Sequence, residues 1–457
     1  MRTSRGFICI LPVILLYVLF LFACGGGEEY NETGPPVIIP QPCSQCHDID
    51  ILDTHFESFT DVAIIGYLLN REISWAPEGM GYILATNENA CSSSCHNYHE
   101  GNASHRQWYE SGHADFSSAA FDHNFTNGDC LRCHSGMGFA NYVDISNAIY
   151  PDWVSPTEEL YSYYITCNAC HDSISYPTVE NPRLRKVGTV ILTSGSSSTY
   201  VVDATLTVGN AASCFVCHEG RESGGSLYKA IRLSGADPYD GSDDTITDRS
   251  FVNIHYLPTG AMLFSLKGFE FIGKTYSDGN IFHQDPNCTG CHMAESGGDD
   301  LGGHTFRVSH EGIENVATCQ GCHPDLTDFE TFRLYDRDMD GDGMAGTIKE
   351  EIDGLKALII EELEKADIYY NPDQHPYFFN VPPPQSRSDQ ATTWKESQLE
   401  AAFNLHYVNK EPGAYAHNFR YAVQLLRDSY EALTGSALPG VRPSTTDDRP
   451  AKDYSSV

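Results

Sequence analysis

The longest apolar stretch of the chain is its first. After Arg2 and Arg5, the residues from Gly6 to Ala23 are almost without a break apolar. A charged start followed by such a run predicts an export signal over residues 1–23, with a membrane anchor as the competing reading because the run approaches the length of a bilayer span. No later stretch is long and apolar enough to span a bilayer. Two β-branched runs, Val187 to Thr193 and Thr199 to Val208, flank Ser-Gly-Ser-Ser-Ser and predict a β-hairpin inserted at about 186–210. Helical periodicity follows: Ile352, Leu355, Ile359 and Leu363 share a face behind Thr347 and Glu350, which suit a capping box. Leu399, Phe403 and His406 share a second face. Tyr421, Ala422, Leu425, Leu426 and Leu433 form a third, with Asn418 placed to cap it and Gly435 to end it. The expected fold is mainly α, with much irregular loop and a small β-hairpin insertion.

Cysteine and histidine change that picture. Fourteen of the 16 Cys fall into seven pairs, each followed at once by His. The motifs are Cys43/Cys46-His47, Cys91/Cys95-His96, Cys130/Cys133-His134, Cys167/Cys170-His171, Cys214/Cys217-His218, Cys288/Cys291-His292 and Cys319/Cys322-His323. Six are C-x-x-C-H, the signature of c-type haem attachment, and the second has one extra intervening residue. Two thiols add to the vinyl groups on one porphyrin edge while the adjacent His reaches the iron. Zinc ribbons pair C-x-x-C units without a fixed trailing His, and a dithiol oxidoreductase needs one such motif on a βαβ frame. Seven repeats therefore read as seven covalent haem c groups, not as eight disulfides. Porphyrins at that density supply much of the apolar core, so regular secondary structure can be sparse and the fold is organised around a haem chain.

A low-spin haem used for electron transfer needs a second axial ligand. Twelve His lie outside the motifs, against 7 Met. Local context ranks His55, His113, His123, His255, His283, His304 and His417 as distal ligands. His113 lies in Trp-Tyr-Glu-Ser-Gly-His-Ala and His304 in Gly-Gly-His-Thr-Phe, while His123 and His283 shortly precede Cys130 and Cys288. His406, on an apolar helix face, is the close rival of His417.

Leu21-Phe22-Ala23-Cys24 resembles a bacterial lipobox, which makes Cys24 the lipid attachment site and residues 24–42, rich in Gly and Pro, a flexible tether. Residues 43–330 carry the seven motifs, 331–370 an Asp-rich loop and helix, 371–434 a C-terminal helical segment, and 435–457 a polar, poorly ordered tail. Within the loop, Asp336, Asp338, Asp340 and Asp342 with Gly341 match the start of an EF-hand calcium loop. Position 12 is Thr347 rather than Glu, so calcium needs Glu350 or Glu351 as a substitute; the competing reading is a solvated turn ahead of the helix.

These motifs resemble the multihaem c-type cytochromes of Geobacter-like, metal-respiring bacteria. The segments Trp108 to Ala114, Cys130 to Phe139, His255 to Phe264, His283 to Phe306 and Trp394 to Leu433 also share local features with the nitrite reductase, octahaem tetrathionate reductase and hydroxylamine oxidoreductase group. Within the last of them, Gly413-Ala-Tyr-Ala-His-Asn resembles that group's Gly-x-His-Asn helix start, which strengthens His417. The nitrite reductases often carry Lys in place of one motif His, and all seven motifs here end in His. The resemblance implies an electron carrier with bis-His haems, anchored to the outer membrane, exchanging electrons with other cytochromes, redox proteins or extracellular ferric and metal-oxide acceptors. The alternative is a terminal reductase of a nitrogen or sulfur oxyanion with one open haem. A formal net charge of -34 excludes nucleic acid as a partner and disfavours oxyanion substrates.

Overall fold

The computed structural model describes residues 104–115, 128–144, 167–173, 183–296, 300–333 and 337–456, together with Ser118, Ala120 and Ile165. Residues 1–103 lie outside the described residues, and with them the signal, Cys24, the tether, the first two motifs (Cys43, Cys46, His47; Cys91, Cys95, His96) and His55. His123 and Asp336 lie outside them too. The described helices are α1 (Ser104–Glu110), α2 (Gly128–His134), α3 (Gly136–Asp144), α4 (Cys167–Cys170), α5 (Ala212–Cys217), α6 (Gly224–Leu233), α7 (Thr259–Leu263), α8 (Ile281–Gln284), α9 (Asn287–His292), α10 (Ile348–Glu364), α11 (Glu396–Asn409), α12 (Ala414–His417) and α13 (Phe419–Thr434). Among the described residues no helix is long and apolar enough to cross a membrane.

The long helices lie in the C-terminal half, and their local chemistry explains their ends. Thr347 Oγ1 accepts from Glu350 N at 3.1 Å while Glu350 Oε2 accepts from Thr347 N at 2.7 Å, a reciprocal cap that starts α10. Ile348, Ile352, Leu355, Ile359 and Leu363 are then buried along one face. Asn418 Oδ1 accepts from Tyr421 N at 3.2 Å to start α13, and Gly435 ends it in the left-handed region at φ 70°. α10, α11 and α13 pack on one another.

β1 (His171–Ser173) pairs with β2 (Arg183–Leu184), and β3 (Thr189–Ser194) with β4 (Val201–Thr207), both antiparallel. The β3–β4 hairpin is the expected insertion, in register from Thr189 opposite Thr207 to Ser194 opposite Val201. Val190, Leu192 and Val201 face inward, and α5 packs against β3.

One apolar cluster runs from Val190 to Tyr454 and joins the hairpin, α5, α6, α10, α11 and α13. The expected divisions near 330 and 370 therefore mark no break in packing, because the apolar face of α10 finds its core on α11 and α13. The tail also departs from expectation. Arg449–Pro450 pairs with Thr275–Tyr276, Arg442 bonds Asp428 at 2.7 Å, and Arg449 bonds Glu270 at 2.6 Å. Tyr454 is buried and donates to Gly268 O at 2.7 Å. Composition alone reads this tail as solvated. Its cations instead neutralise carboxylates that the helical core has already buried.

Candidate haem-binding site

The five described motifs sit on single helical turns. Cys130–His134 closes α2, Cys214–Cys217 closes α5 with His218 as its cap, and Cys288–His292 lies in α9. Cys167–Cys170 is α4, followed at once by His171, and His323 N donates to Cys319 O at 2.8 Å across a single turn. Residues i, i+3 and i+4 of a turn share one face, so two thiols and an imidazole address the same flat group. This is the local reason for the spacing.

Each of the five described motif histidines faces one of the distal candidates. Ring centres are 6.2 Å apart for His218 and His113, 5.9 Å for His134 and His255, and 6.2 Å for His171 and His304. They are 6.1 Å apart for His292 and His417 and 6.4 Å for His323 and His283. Two metal–imidazole bonds of about 2 Å, with about 1.1 Å from bound nitrogen to ring centre, separate two rings on one metal by about 6.2 Å. The spacing fits an iron held between each pair. None of these pairs is local in sequence, and all five recur at this one separation.

The outer nitrogens are oriented by the backbone and by one carboxylate. His134 Nδ1 lies 2.6 Å from Ala120 O, His292 Nδ1 2.9 Å from Phe306 O, and His283 Nδ1 2.8 Å from Ala416 O. A carbonyl only accepts, so the His134 and His292 rings carry their proton on Nδ1 and leave Nε2 for a metal, while His283 Nδ1 also lies 2.9 Å from the Asn280 amide nitrogen. His417 Nδ1 instead faces Glu411 Oε1 at 2.9 Å. Burial lowers His417, but the Glu411 carboxylate outweighs it and raises the imidazole above its usual value. Burial, assisted by the opposed imidazole, pulls His113 and His304 down to about 4. Burial and then Arg221 do the same for His255, also to about 4. These three rings are neutral at pH 7, the form that binds iron.

Contacts between motifs link the sites. The third and fifth motifs meet where Cys133 Sγ lies 3.8 Å from Val216 O and Cys217 Sγ 3.6 Å from Arg132 O, and Cys214 of the fifth motif adjoins Cys288 of the sixth. Cys170 lies near Cys217, and Cys291 near Cys319. Ala169, Val216, Phe139, Tyr142 and Val143 form a second apolar cluster where the third, fourth and fifth motifs meet. The Phe306 ring lies 4.9 Å from His113 and 5.9 Å from His304, while its carbonyl faces His292.

A buried charge network clamps the third motif to the fifth. Arg132, inside the third motif, bonds Glu219, the residue after His218, at 3.2 Å. Lys267, with no side-chain exposure, reaches Glu219 at 3.3 Å, Asp203 of β4 at 3.6 Å and Thr193 O of β3 at 2.9 Å. The hairpin therefore braces the fifth motif from behind.

His406, the rival of His417, is fully buried with both ring nitrogens engaged, Nε2 to Asn253 Oδ1 and Nδ1 to Tyr370 OH, each at 3.0 Å. Asn253 Oδ1 also accepts from His255 N at 2.8 Å, so His406 supports the strained turn at His255, where φ is 75°. Sequence reasoning missed this role, along with Glu411, Phe306 and Lys267. Glu219 and Arg132 could have been flagged by their adjacency to the motifs. Lys267 and His406 act across long sequence separations, with Glu219 48 residues from Lys267 and Asn253 153 from His406.

In the Asp-rich loop, Asp338, Asp340 and Glu351 bring ligand-type oxygens within 4.8 Å of one another. Glu351, not Thr347 or Glu350, supplies the third carboxylate. Glu351 Oε2 accepts from Met339 N and Asp340 N at 2.6 and 3.0 Å, and Asp338 Oδ1 accepts from Gly341 N at 2.6 Å. Asp342 Oδ1 accepts from Met344 N at 2.7 Å, within the loop itself. The carboxylates thus hold the loop's own backbone.

The chain is similar in sequence to polyhaem cytochromes. No protein-family model matches the chain. It is 25% identical over 361 residues to the C-type polyheme cytochrome OmcB of Geobacter sulfurreducens, covering 68% of this chain and 44% of that protein. It is 26% identical over 368 residues to OmcC of the same organism, covering 70% of this chain and 44% of that protein. Among solved structures, the outer cell wall cytochrome OcwA aligns with a TM-score of 0.39 and 15% identity, covering 72% of this chain and 50% of OcwA. The chain thus spans less than half the length of the two Geobacter relatives.

Proposed function

We propose that the chain is a heptahaem c-type cytochrome that passes electrons along a series of bis-His haems. The observation that carries this reading is the set of five imidazole pairs, each joining a motif His to a non-motif His at the separation one iron requires. Haem, when bound, supplies reversible one-electron exchange at iron. The protein attaches it through Cys130, Cys133, Cys167, Cys170, Cys214, Cys217, Cys288, Cys291, Cys319 and Cys322, and holds each iron between two imidazoles. The remaining two sites, at Cys43–His47 and Cys91–His96, rest on their motifs, with His55 and His123 as their partners.

The reductase reading needs an open iron. Every described motif His has an imidazole opposite it, so an open iron would fall on one of the two N-terminal motifs. Export, lipidation at Cys24 and an outer-membrane position rest on residues 1–42, and a calcium ion on Asp338, Asp340 and Glu351 rests on their convergence. Calorimetric titration with calcium tests the last, and absence of heat together with an unchanged melting temperature removes it.

The functional test is reoxidation. The dithionite-reduced holoprotein is expected to return electrons rapidly to a soluble ferric chelate or an oxidised cytochrome, and to show no sustained turnover of nitrite, hydroxylamine or tetrathionate. Steady-state consumption of one of those substrates would move the assignment to a reductase.

A further inference from the structure

We infer that Glu411 lowers the reduction potential of the iron held between His292 and His417. This rests on the bis-His assignment of that pair. Glu411 lies in the turn between α11 and α12 and is 1% exposed. Its Oε1 accepts from Gly413 N at 2.9 Å and meets His417 Nδ1 at 2.9 Å. The turn is built for this contact. A Cβ at Gly413 would lie 2.5 Å from His417 Cε1 and 3.1 Å from Glu411 Oε1, so only glycine lets the ring seat against the carboxylate.

The other outer-nitrogen contacts provide the contrast. His134, His283 and His292 point Nδ1 at the carbonyls of Ala120, Ala416 and Phe306. A neutral carbonyl orients a ring. A buried carboxylate orients it and also adds a negative charge that water screens poorly. Polarising Nδ1–H makes Nε2 a stronger donor, which favours ferric over ferrous iron. The same charge reaches His218 of the fifth motif, whose Cys214 touches Cys288 of the sixth, so Glu411 lies where these two sites meet. A positioning residue here sets how far downhill an electron moves between them.

The test uses the full holoprotein with Glu411→Gln, which keeps the shape and an acceptor oxygen but removes the charge. Redox titration followed by low-temperature electron paramagnetic resonance is expected to move one low-spin species to higher potential. A tenfold shift in its reduction equilibrium corresponds to about 59 mV for one electron. Glu411→Asp should restore most of the original value. Should Glu411→Gln fail to assemble, Gly413→Ala, which drives the ring off the carboxylate, must move the same species in the same direction. An assembled variant with an unchanged titration overturns the inference. His417→Ala run in parallel separates the two failures. If it produces no high-spin haem, the ligand assignment is wrong; if it produces one while Glu411→Gln changes nothing, only the role of Glu411 is wrong.

Discussion

Replacing His113 with alanine is expected to turn one haem of the holoprotein from low-spin to high-spin and leave the rest unchanged. The same outcome is expected at His255, His283, His304 and His417, one haem for each substitution. Each of these rings stands opposite a motif histidine at 5.9 to 6.4 Å. Loss of one strong axial donor leaves an iron with a weaker field, readable in the visible charge-transfer region and in the electron paramagnetic resonance of the oxidised protein. His406→Ala provides the control. His406 is buried on an apolar helix face, yet its two nitrogens already bind Asn253 and Tyr370. Its loss should lower stability by about 1–3 kcal/mol through orphaned partners and leave every haem low-spin. A high-spin haem in His406→Ala with an unchanged His417→Ala would reverse the assignment of those two residues.

The largest stability effect is expected at Lys267. This cation is wholly buried among Glu219, Asp203 and the carbonyls of Thr193 and Gly220. Lys267→Met keeps an unbranched side chain, one atom shorter, and removes the charge. Two buried carboxylates then lose a shared partner, and Arg132 is left as the cation facing Glu219, beside the backbone N–H of Thr193. Removing one member of a buried ion cluster typically costs about 3–5 kcal/mol, because the remaining charge stays in a low-dielectric site. Denaturation followed by tyrosine and tryptophan fluorescence reads this loss. A change below about 1 kcal/mol, the range of exposed pairs, would show that the cluster is solvated and does not brace the motifs. Because Arg132 and Glu219 each adjoin an attachment site, the variant should also disturb the third and fifth haems before the seventh.

Much of this site is legible in the sequence, for physical reasons. Thioether chemistry demands two thiols and an imidazole on one helical turn, so the attachment sites appear as a local pattern. Capping chemistry is equally local, which is why Thr347–Glu350 and Asn418 could be read before the fold was known. The histidines that face the motifs are partly legible: small neighbours mark His304, and closeness to a cysteine pair marks His283. Their pairing is not. His113 meets His218, and His255 meets His134, only after α2, α5 and the turn at Asn253 have packed together. The tail illustrates the same limit, since Arg442, Arg449 and Tyr454 look like solvated residues until Asp428, Glu270 and Gly268 are seen beside them. Glu411 is similar: a glutamate before Pro-Gly reads as a loop residue, and its role depends on the ring that the next turn brings against it.

Bis-His electron transfer requires paired imidazoles at the five described motifs. Near-infrared magnetic circular dichroism of the fully oxidised holoprotein, whose haem number is fixed beforehand by intact mass, measures this directly. Seven haems, all low-spin with two nitrogen axial ligands, is the predicted result. A high-spin or nitrogen–sulfur share too large to reside on the Cys43–His47 and Cys91–His96 haems alone would contradict it.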